Sequence, residues 1–575
     1  MAAPSNAKGL VQIEEAIQSQ LDIERARLEN AAGFADVAPS RHFKRPVERP
    51  FTKSDRGNTT LLFGGLTWRH ERLIQAALEG LDYHVRPLPV PDVRAFQTGK
   101  EFGNNGQCNP TYFTVGNLVQ FLQSLELQGL SKRQIEDQYV FFTAGACGPC
   151  RFGMYEAEYR LALRNSGFDG FRVILFQQSG GLEQSDLEAG IEMNTEFFLG
   201  ILNALCVGDV LNEAAYAVRP YEMLRGQTDE AMGRAVDLLH RVFKDRQPWK
   251  LNAEKRRWLG QLSGPIESLG KFVGQLKGDD FTGGLKQAAD LLNSVDVDRL
   301  RVKPIVKITG EFWAQTTEGD GNFRMFQFLE QEGAQVLVEP VGTWITYMIH
   351  QVVQKYRDTK GLEEGVAVPS WWKTASRARV ETRHQTKLAK MKLAEAIFRR
   401  EYHRLTDAFQ QLVHHLADQY EMQRLAHPFY NSRAAGGEGH LEVAKNIYYS
   451  NRELAHMVLS LKPFGCMPST QSDAAQTAVV ANHSDMIYLP IETSGEGEIN
   501  AHSRVQMALG EARIKAKAEF AQALEQSSLT LEKCYAYVDR HPEMKRPLYQ
   551  VPKHKGFIGV APNLVLHIAE RMRAA

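Results

Sequence analysis

The sequence predicts a mixed α/β protein: two Rossmann-like, doubly wound α/β domains with a helical connector and a helical insertion. Two observations carry this prediction. Short apolar runs of strand character alternate with helical stretches, first from Thr60 and again from Lys303. Several of these runs end in glycine-rich turns, as strands do when they hand the chain to a helix at one edge of a parallel sheet. A chain of 575 residues is also too long for a single core.

Residues 1–56 read as a helix followed by a Pro-rich, basic, extended arm from residue 33. The first α/β domain spans 57–215. It holds a strand closing in Gly64-Gly65, a helix at 70–80, a strand near Val85, a helix at 114–125, a buried strand at 139–143, a helix at 154–163 and a strand at 171–176. Residues 216–300 form amphipathic helices that connect the halves. The second α/β domain comprises 301–350 and 436–530, split by an insertion at 351–435. Most of that insertion, 374–425, is a strongly charged helical run. His414 and His415 fall in this run. Adjacent residues on a helix face different ways, so no metal site is expected there. Residues 531–575 close the chain.

Hydrophobic content of 43% and charged content of 24% are ordinary for a soluble globular protein. Lys plus Arg and Asp plus Glu balance at 68 each, which points to neither nucleic acid nor an anionic membrane surface. No apolar run is expected to span a bilayer, and the N-terminus lacks a secretory layout. A cytoplasmic protein is expected. Six cysteines are too few for a disulfide framework, and that compartment keeps thiols reduced.

Four of the cysteines sit in Gly, Pro or Asn turns. Cys108 lies in Gly106-Gln107-Cys108-Asn109-Pro110, Cys147 and Cys150 in Cys147-Gly148-Pro149-Cys150, and Cys466 in Phe464-Gly465-Cys466-Met467-Pro468. Cys206 and Cys534 lie in helical stretches and read as small core hydrophobes. An iron–sulfur cluster needs thiolates on a backbone that wraps closely and donates N–H groups to sulfur, which these turns suit. A lone Cys-x-x-Cys also serves zinc or thiol redox chemistry, so those readings stay open at this level, as does structural coincidence. The companions of the Cys-x-x-Cys pair lie far away in sequence, which makes any shared site one between domains.

Three acidic loops are secondary candidates. Glu492, Ser494 and Glu496 follow a strand and precede a helix, at the edge where open α/β sheets bind ligands. A solvated loop favouring the helix start fits equally. Glu311 and Glu438 read more as helix caps. No Gly-x-x-x-x-Gly-Lys-Ser/Thr occurs, so no ATP site is expected in this chain.

Residues 49–81, 106–122, 146–163, 303–313, 436–445 and 462–470 resemble the 2-hydroxyacyl-CoA dehydratase and benzoyl-CoA reductase superfamily. The likeness is nearest to the C-terminal part of its large activase-related proteins and extends to its double-cubane cluster proteins. It spans roughly 45–525, with nothing added by 1–44 or 351–425. The resemblance implies a reductase or dehydratase component. A separate ATP-hydrolysing activase of the acetate kinase–actin–Hsp70 type would deliver one low-potential electron to its cluster, and an acyl-CoA thioester would be the substrate. It implies a [4Fe–4S] cluster, with a double cubane as the variant, held by Cys108, Cys466 and one or both of Cys147 and Cys150. A homo- or hetero-oligomer is expected. The alternatives are a non-catalytic electron-transfer subunit, a double-cubane reductase of small molecules, or a zinc-stabilised interaction protein.

Overall fold

The computed structural model describes residues 6–31, 49–145, 150–177, 181–182, 190–247, 249–360, 362, 372–434, 437–483 and 485–574. The chain divides into two compact units, Met1–Val47 and Glu48–Ala575. In the first, Asn6–Ala31 is one helix, with its described side chains exposed and Gln18–Asp22 and Glu24–Arg27 pairs along it.

The second unit contains two sheets. One holds β1 (Thr60–Phe63), β2 (His84–Pro87), β3 (Tyr139–Gly145), β4 (Arg172–Gln177) and a two-residue β5 (Gly181–Leu182). Its order is β2-β1-β3-β4-β5, parallel except for the antiparallel edge β5. The other holds β6 (Ile305–Gly310), β7 (Gln335–Leu337), β8 (Met457–Pro463) and β9 (Tyr488–Thr493). It is wholly parallel, in the order β7-β6-β8-β9. In both sheets the second strand lies to one side of the first and the third strand to the other. The direction of winding therefore reverses between β1 and β3, and again between β6 and β8.

Successive side chains on a strand point to opposite faces, and the cores follow that period. Leu61, Phe63, Val140 and Ile174 pack with helices Trp68–Glu79 and Thr195–Val218. Leu62, Phe141 and Val173 pack with helices Asn109–Leu127 and Tyr155–Asn165 on the other face. In the second sheet, Val306, Ile308, Leu459 and Leu461 pack against helices Met325–Gln331 and Glu498–Ser527. The alternate positions Lys307, Thr309, Ser460 and Lys462 are buried polar residues.

Several details differ from the sequence expectations. Helix Thr195–Val218 and the turn after it are long and apolar enough to cross a membrane by length and composition, whereas no such segment was expected; 67% of that stretch is buried in the protein, which is what its apolar surface serves. The helix after Cys108 begins at Asn109 rather than 114. Pro110 sits in its first turn, where a missing N–H costs nothing. One 3₁₀ turn, Arg151–Met154, precedes helix Tyr155–Asn165. The charged run forms helix Thr374–Thr406, anchored in the main core by Phe398, Tyr402 and Leu405. His414 and His415 follow in non-helical chain, where the Glu213 carboxylate accepts from the His414 backbone N–H at 2.9 Å and also meets its ring. The region read as a connector sends Met232, Val236, Leu239, Phe281 and Leu285 into that same core. In the arm, Phe51 is buried and its carbonyl accepts from the Gly190 N–H at 2.8 Å.

Candidate functional site

The described cysteines of the turn set each stand at the N-cap of a helix. Cys108 caps Asn109–Leu127 and Cys466 caps Met467–Asn482. Cys150 caps the 3₁₀ turn that runs into Tyr155–Asn165. These positions set each sulfur beside the N–H groups of a first helical turn. Cys147 lies at 146–149, outside the described residues.

The loops from the two sheets meet here. The Asn109 N–H donates to the Phe464 carbonyl at 2.9 Å. Gly465 has φ 75°, and a Cβ there would lie 3.3 Å from the Cys108 Cα and the Gln107 carbonyl oxygen. Glycine permits both the left-handed backbone and the close approach. The Arg151 guanidinium donates to the Gly106 carbonyl, tying the chain next to Cys150 to the Cys108 loop. Cys108 Sγ lies 3.1 Å from the Thr111 hydroxyl and 3.1 Å from the Tyr155 hydroxyl.

Electrostatics mark Glu311 as the shared neighbour. Burial pushes the Cys150 thiol up to about 11, against the Phe152 N–H, with Glu311 and Cys108 adding to the rise. Burial and then Glu311 push Cys466 up too, against the Ser469 hydroxyl and N–H. Burial, Cys108 and Glu311 lift Tyr155. Glu311 itself follows β6 and caps helix Phe312–Thr316, accepting from the Ala314 N–H at 3.0 Å. Burial raises its carboxyl to about 7, the Trp313 and Ala314 N–H groups oppose, and Glu438 and Glu442 add. Buried thiols become thiolates only against a compensating positive charge.

This donor set fits a cationic group held by thiolates. Among the described residues no three His, Cys, Asp or Glu side chains stand together as ligands of one ion. Thiolates of this kind can ligate either a single metal ion or an iron–sulfur cluster.

The secondary candidates separate. Glu438 pairs with Lys445 at 3.1 Å, and burial raises its carboxyl. Glu492 and Glu496 are exposed, and Glu496 meets Lys100 at 3.5 Å. The Ser494 hydroxyl donates to the Glu496 carbonyl. That loop joins the site through its backbone, where the Phe464 N–H donates to the Thr493 carbonyl at 2.9 Å. Cys206 and Cys534 lie in apolar clusters.

Sequence reasoning missed the buried ionic layer on the polar face of the second sheet. Lys307 meets Glu339 at 2.7 Å and Lys462 meets Glu442 at 3.2 Å. The Tyr449 hydroxyl donates to Glu339 at 3.1 Å and the Ser472 hydroxyl to Glu442 at 2.6 Å. Burial pushes Glu339 up, but Lys307 and Lys445 outweigh it and bring the carboxyl to about 2. The signal for this layer was a period-2 row of polar residues, Lys307 with Thr309 and Ser460 with Lys462, inside otherwise apolar strands.

No family model, no curated protein and no solved structure matches this chain.

Proposed function

We propose that the chain is the cluster-bearing component of a low-potential electron-transfer system, of the 2-hydroxyacyl-CoA dehydratase and benzoyl-CoA reductase type, working in the cytoplasm. On this reading the two sheets are Rossmann-like, doubly wound folds facing a shared site. The observation that carries the proposal is that the Cys108 loop of one half bonds the Phe464–Cys466 loop of the other, while Arg151 beside Cys150 donates to the Gly106 carbonyl. Where winding reverses in an open parallel sheet, the loops at the strand C-termini form the ligand crevice. Glu311 after β6 and Cys466 after β8 flank that point in one sheet. Cys150 comes after β3 in the other.

Cys108, Cys466 and one or both of Cys147 and Cys150 would hold a [4Fe–4S] cluster. Bound there, such a group would supply one-electron chemistry, on the family pattern between a separate ATP-hydrolysing activase and an acyl-CoA thioester. The chain's own residues prepare the place. First-turn N–H groups of three helices favour negative sulfur. The Thr111 and Tyr155 hydroxyls orient Cys108 Sγ. Glu311, titrating near neutrality, holds or releases a proton beside the thiols.

The test is purification without oxygen, with iron, acid-labile sulfide and low-temperature EPR after reduction. Iron and sulfide in equal amounts are expected. Serine at Cys108, Cys150 or Cys466 should lower cluster content or change the spectrum, while Cys206→Ser and Cys534→Ser should leave both alone. A colourless protein with stoichiometric zinc and no iron would end this proposal. Perturbation of the EPR signal by cyanide or substrate separates a catalytic centre with an open iron from a purely electron-transferring one.

A further inference from the structure

A cleft of about 1230 Å³ opens elsewhere in the same unit and shares no lining residue with the cysteine site. It is walled by the start of helix Trp68–Glu79, by the chain between Tyr216 and Asp229, by Arg301 and by residues 318–331. Five arginines line it: Arg69, Arg219, Arg225, Arg301 and Arg324. Three are matched by carboxylates. Arg219 meets Asp229 at 2.8 Å and Glu330 at 2.9 Å, Arg301 meets Asp298 at 3.3 Å, and Arg324 meets Asp320 at 2.7 Å. Arg69 and Arg225 have no carboxylate partner among the described residues.

Arg69 is the unusual one. It is 2% exposed. Its guanidinium donates to the Asn212 side-chain carbonyl at 3.1 Å and stacks 4.8 Å over the Trp68 ring, while its buried Nε has no hydrogen-bond partner. The carboxylates whose charge reaches it are already engaged, Glu318 with the Trp68 N–H at 2.8 Å and Asp229 with Arg219. A neutral amide and a ring face do not offset the desolvation of a buried cation. Arg225, by contrast, is exposed.

We propose that this cleft binds a phosphorylated small molecule of nucleotide size, its phosphate seated against Arg69 and met by Arg225. The guanidinium fork matches a phosphate's oxygens in geometry and charge. The cleft is larger than the usual small-molecule pocket, so inorganic phosphate alone would leave most of it empty. Glu222, Asp229, Glu318 and Glu330 make its walls rich in acceptors, which suits a ligand carrying hydroxyl or amino donors besides its phosphate. The sequence has no Gly-x-x-x-x-Gly-Lys-Ser/Thr, and here side chains hold the anion. The proposal stands independently of any cluster.

Calorimetric titration of the full chain with ADP, pyrophosphate and citrate tests it, with thermal unfolding alongside. ADP is expected to bind most tightly, pyrophosphate more weakly and citrate least. Arg225→Ala should raise the Kd for ADP about tenfold, the worth of one charge-assisted contact. Arg69→Gln should abolish binding. If Arg69→Gln fails to fold, Arg225→Ala decides alone, because an exposed side chain carries no core. The proposal is overturned if neither ADP nor pyrophosphate binds, if Arg225→Ala binds ADP as the parent does, or if citrate binds more tightly than both. Iron content should be the same in parent and variants, so this result and that of the cysteine changes are read separately.

Discussion

Lys307 sits in β6 between Val306 and Ile308, with its side chain fully buried and Nζ 2.7 Å from Glu339. Removing one partner of such a pair strands the other charge in a low-dielectric interior. Lys307→Met is therefore expected to cost about 3–5 kcal/mol in urea unfolding. Lys307→Met combined with Glu339→Leu should recover part of that loss, because no charge is then left buried. Glu71 gives a pH signature. It is buried and accepts from the Gly65 N–H at 2.9 Å and the Leu66 N–H at 3.1 Å. Burial raises its carboxyl to about 8, against those two N–H groups, with Glu318 adding. Between the ordinary 4.5 and about 8 the folded chain keeps a proton that the unfolded chain has lost. Its contribution to stability is thus full below that window and falls as pH rises through it. Glu71→Gln should remove this fall and leave the variant more stable than the parent above about pH 8, by roughly a few kcal/mol in denaturant melts. A smaller difference at high pH than at low would refute it. Neither residue announced itself in the sequence. A lone lysine in a strand and a glutamate in the first turn of a helix are commonplace, and their burial follows from what packs over them.

Helices Val93–Phe102 and Asn109–Leu127 touch backbone to backbone, and two glycines make that contact. A Cβ on Gly99 would lie 2.0 Å from the Tyr112 carbonyl oxygen, and one on Gly116 would lie 1.8 Å from that of Ala95. Gly116→Ala must push these helices apart, at about 1–3 kcal/mol or more. It should also shift the helix start that carries Cys108. A lowered melting temperature together with reduced iron content is the expected result. Gly233→Ala is the control, because nothing lies within 4 Å of its added Cβ. It should leave iron content unchanged and hold or slightly raise the melting temperature. At this scale much was legible. Strand positions followed from apolar runs and helices from their periodicity, because both are set by neighbours in sequence. The start at Asn109 was missed because Asn109-Pro110 reads as a turn, while proline is equally at home in a first helical turn. The apolar helix Thr195–Val218 was not recognised as long enough to span a bilayer, because its length shows only once the continuous hydrogen-bonded run is seen.

The first four strands of one sheet and the four of the other share one order, and the Asn109 N–H that follows Cys108 bonds the Phe464 carbonyl after β8. The unit Glu48–Ala575 contains both sheets and the buried clusters around them. A chain beginning at Glu48 should therefore fold on its own. Its thermal unfolding is expected to stay cooperative with a midpoint close to the parent's, and a non-cooperative transition would show that Met1–Val47 is needed. Taken by itself, the sequence determined the alternation of strands and helices, and it marked the turns that carry Cys108, Cys150 and Cys466. Those features are local: residue period, glycine and proline placement, and burial propensity are written within a few turns of chain. Only the tertiary structure decided that Asn109 bonds to Phe464, that the Glu311 charge reaches both Cys150 and Cys466, that the second sheet has a charged buried face, and that Arg69 has no carboxylate partner among the described residues. Each of these depends on which distant segments are brought together, and neither residue period nor composition carries that information.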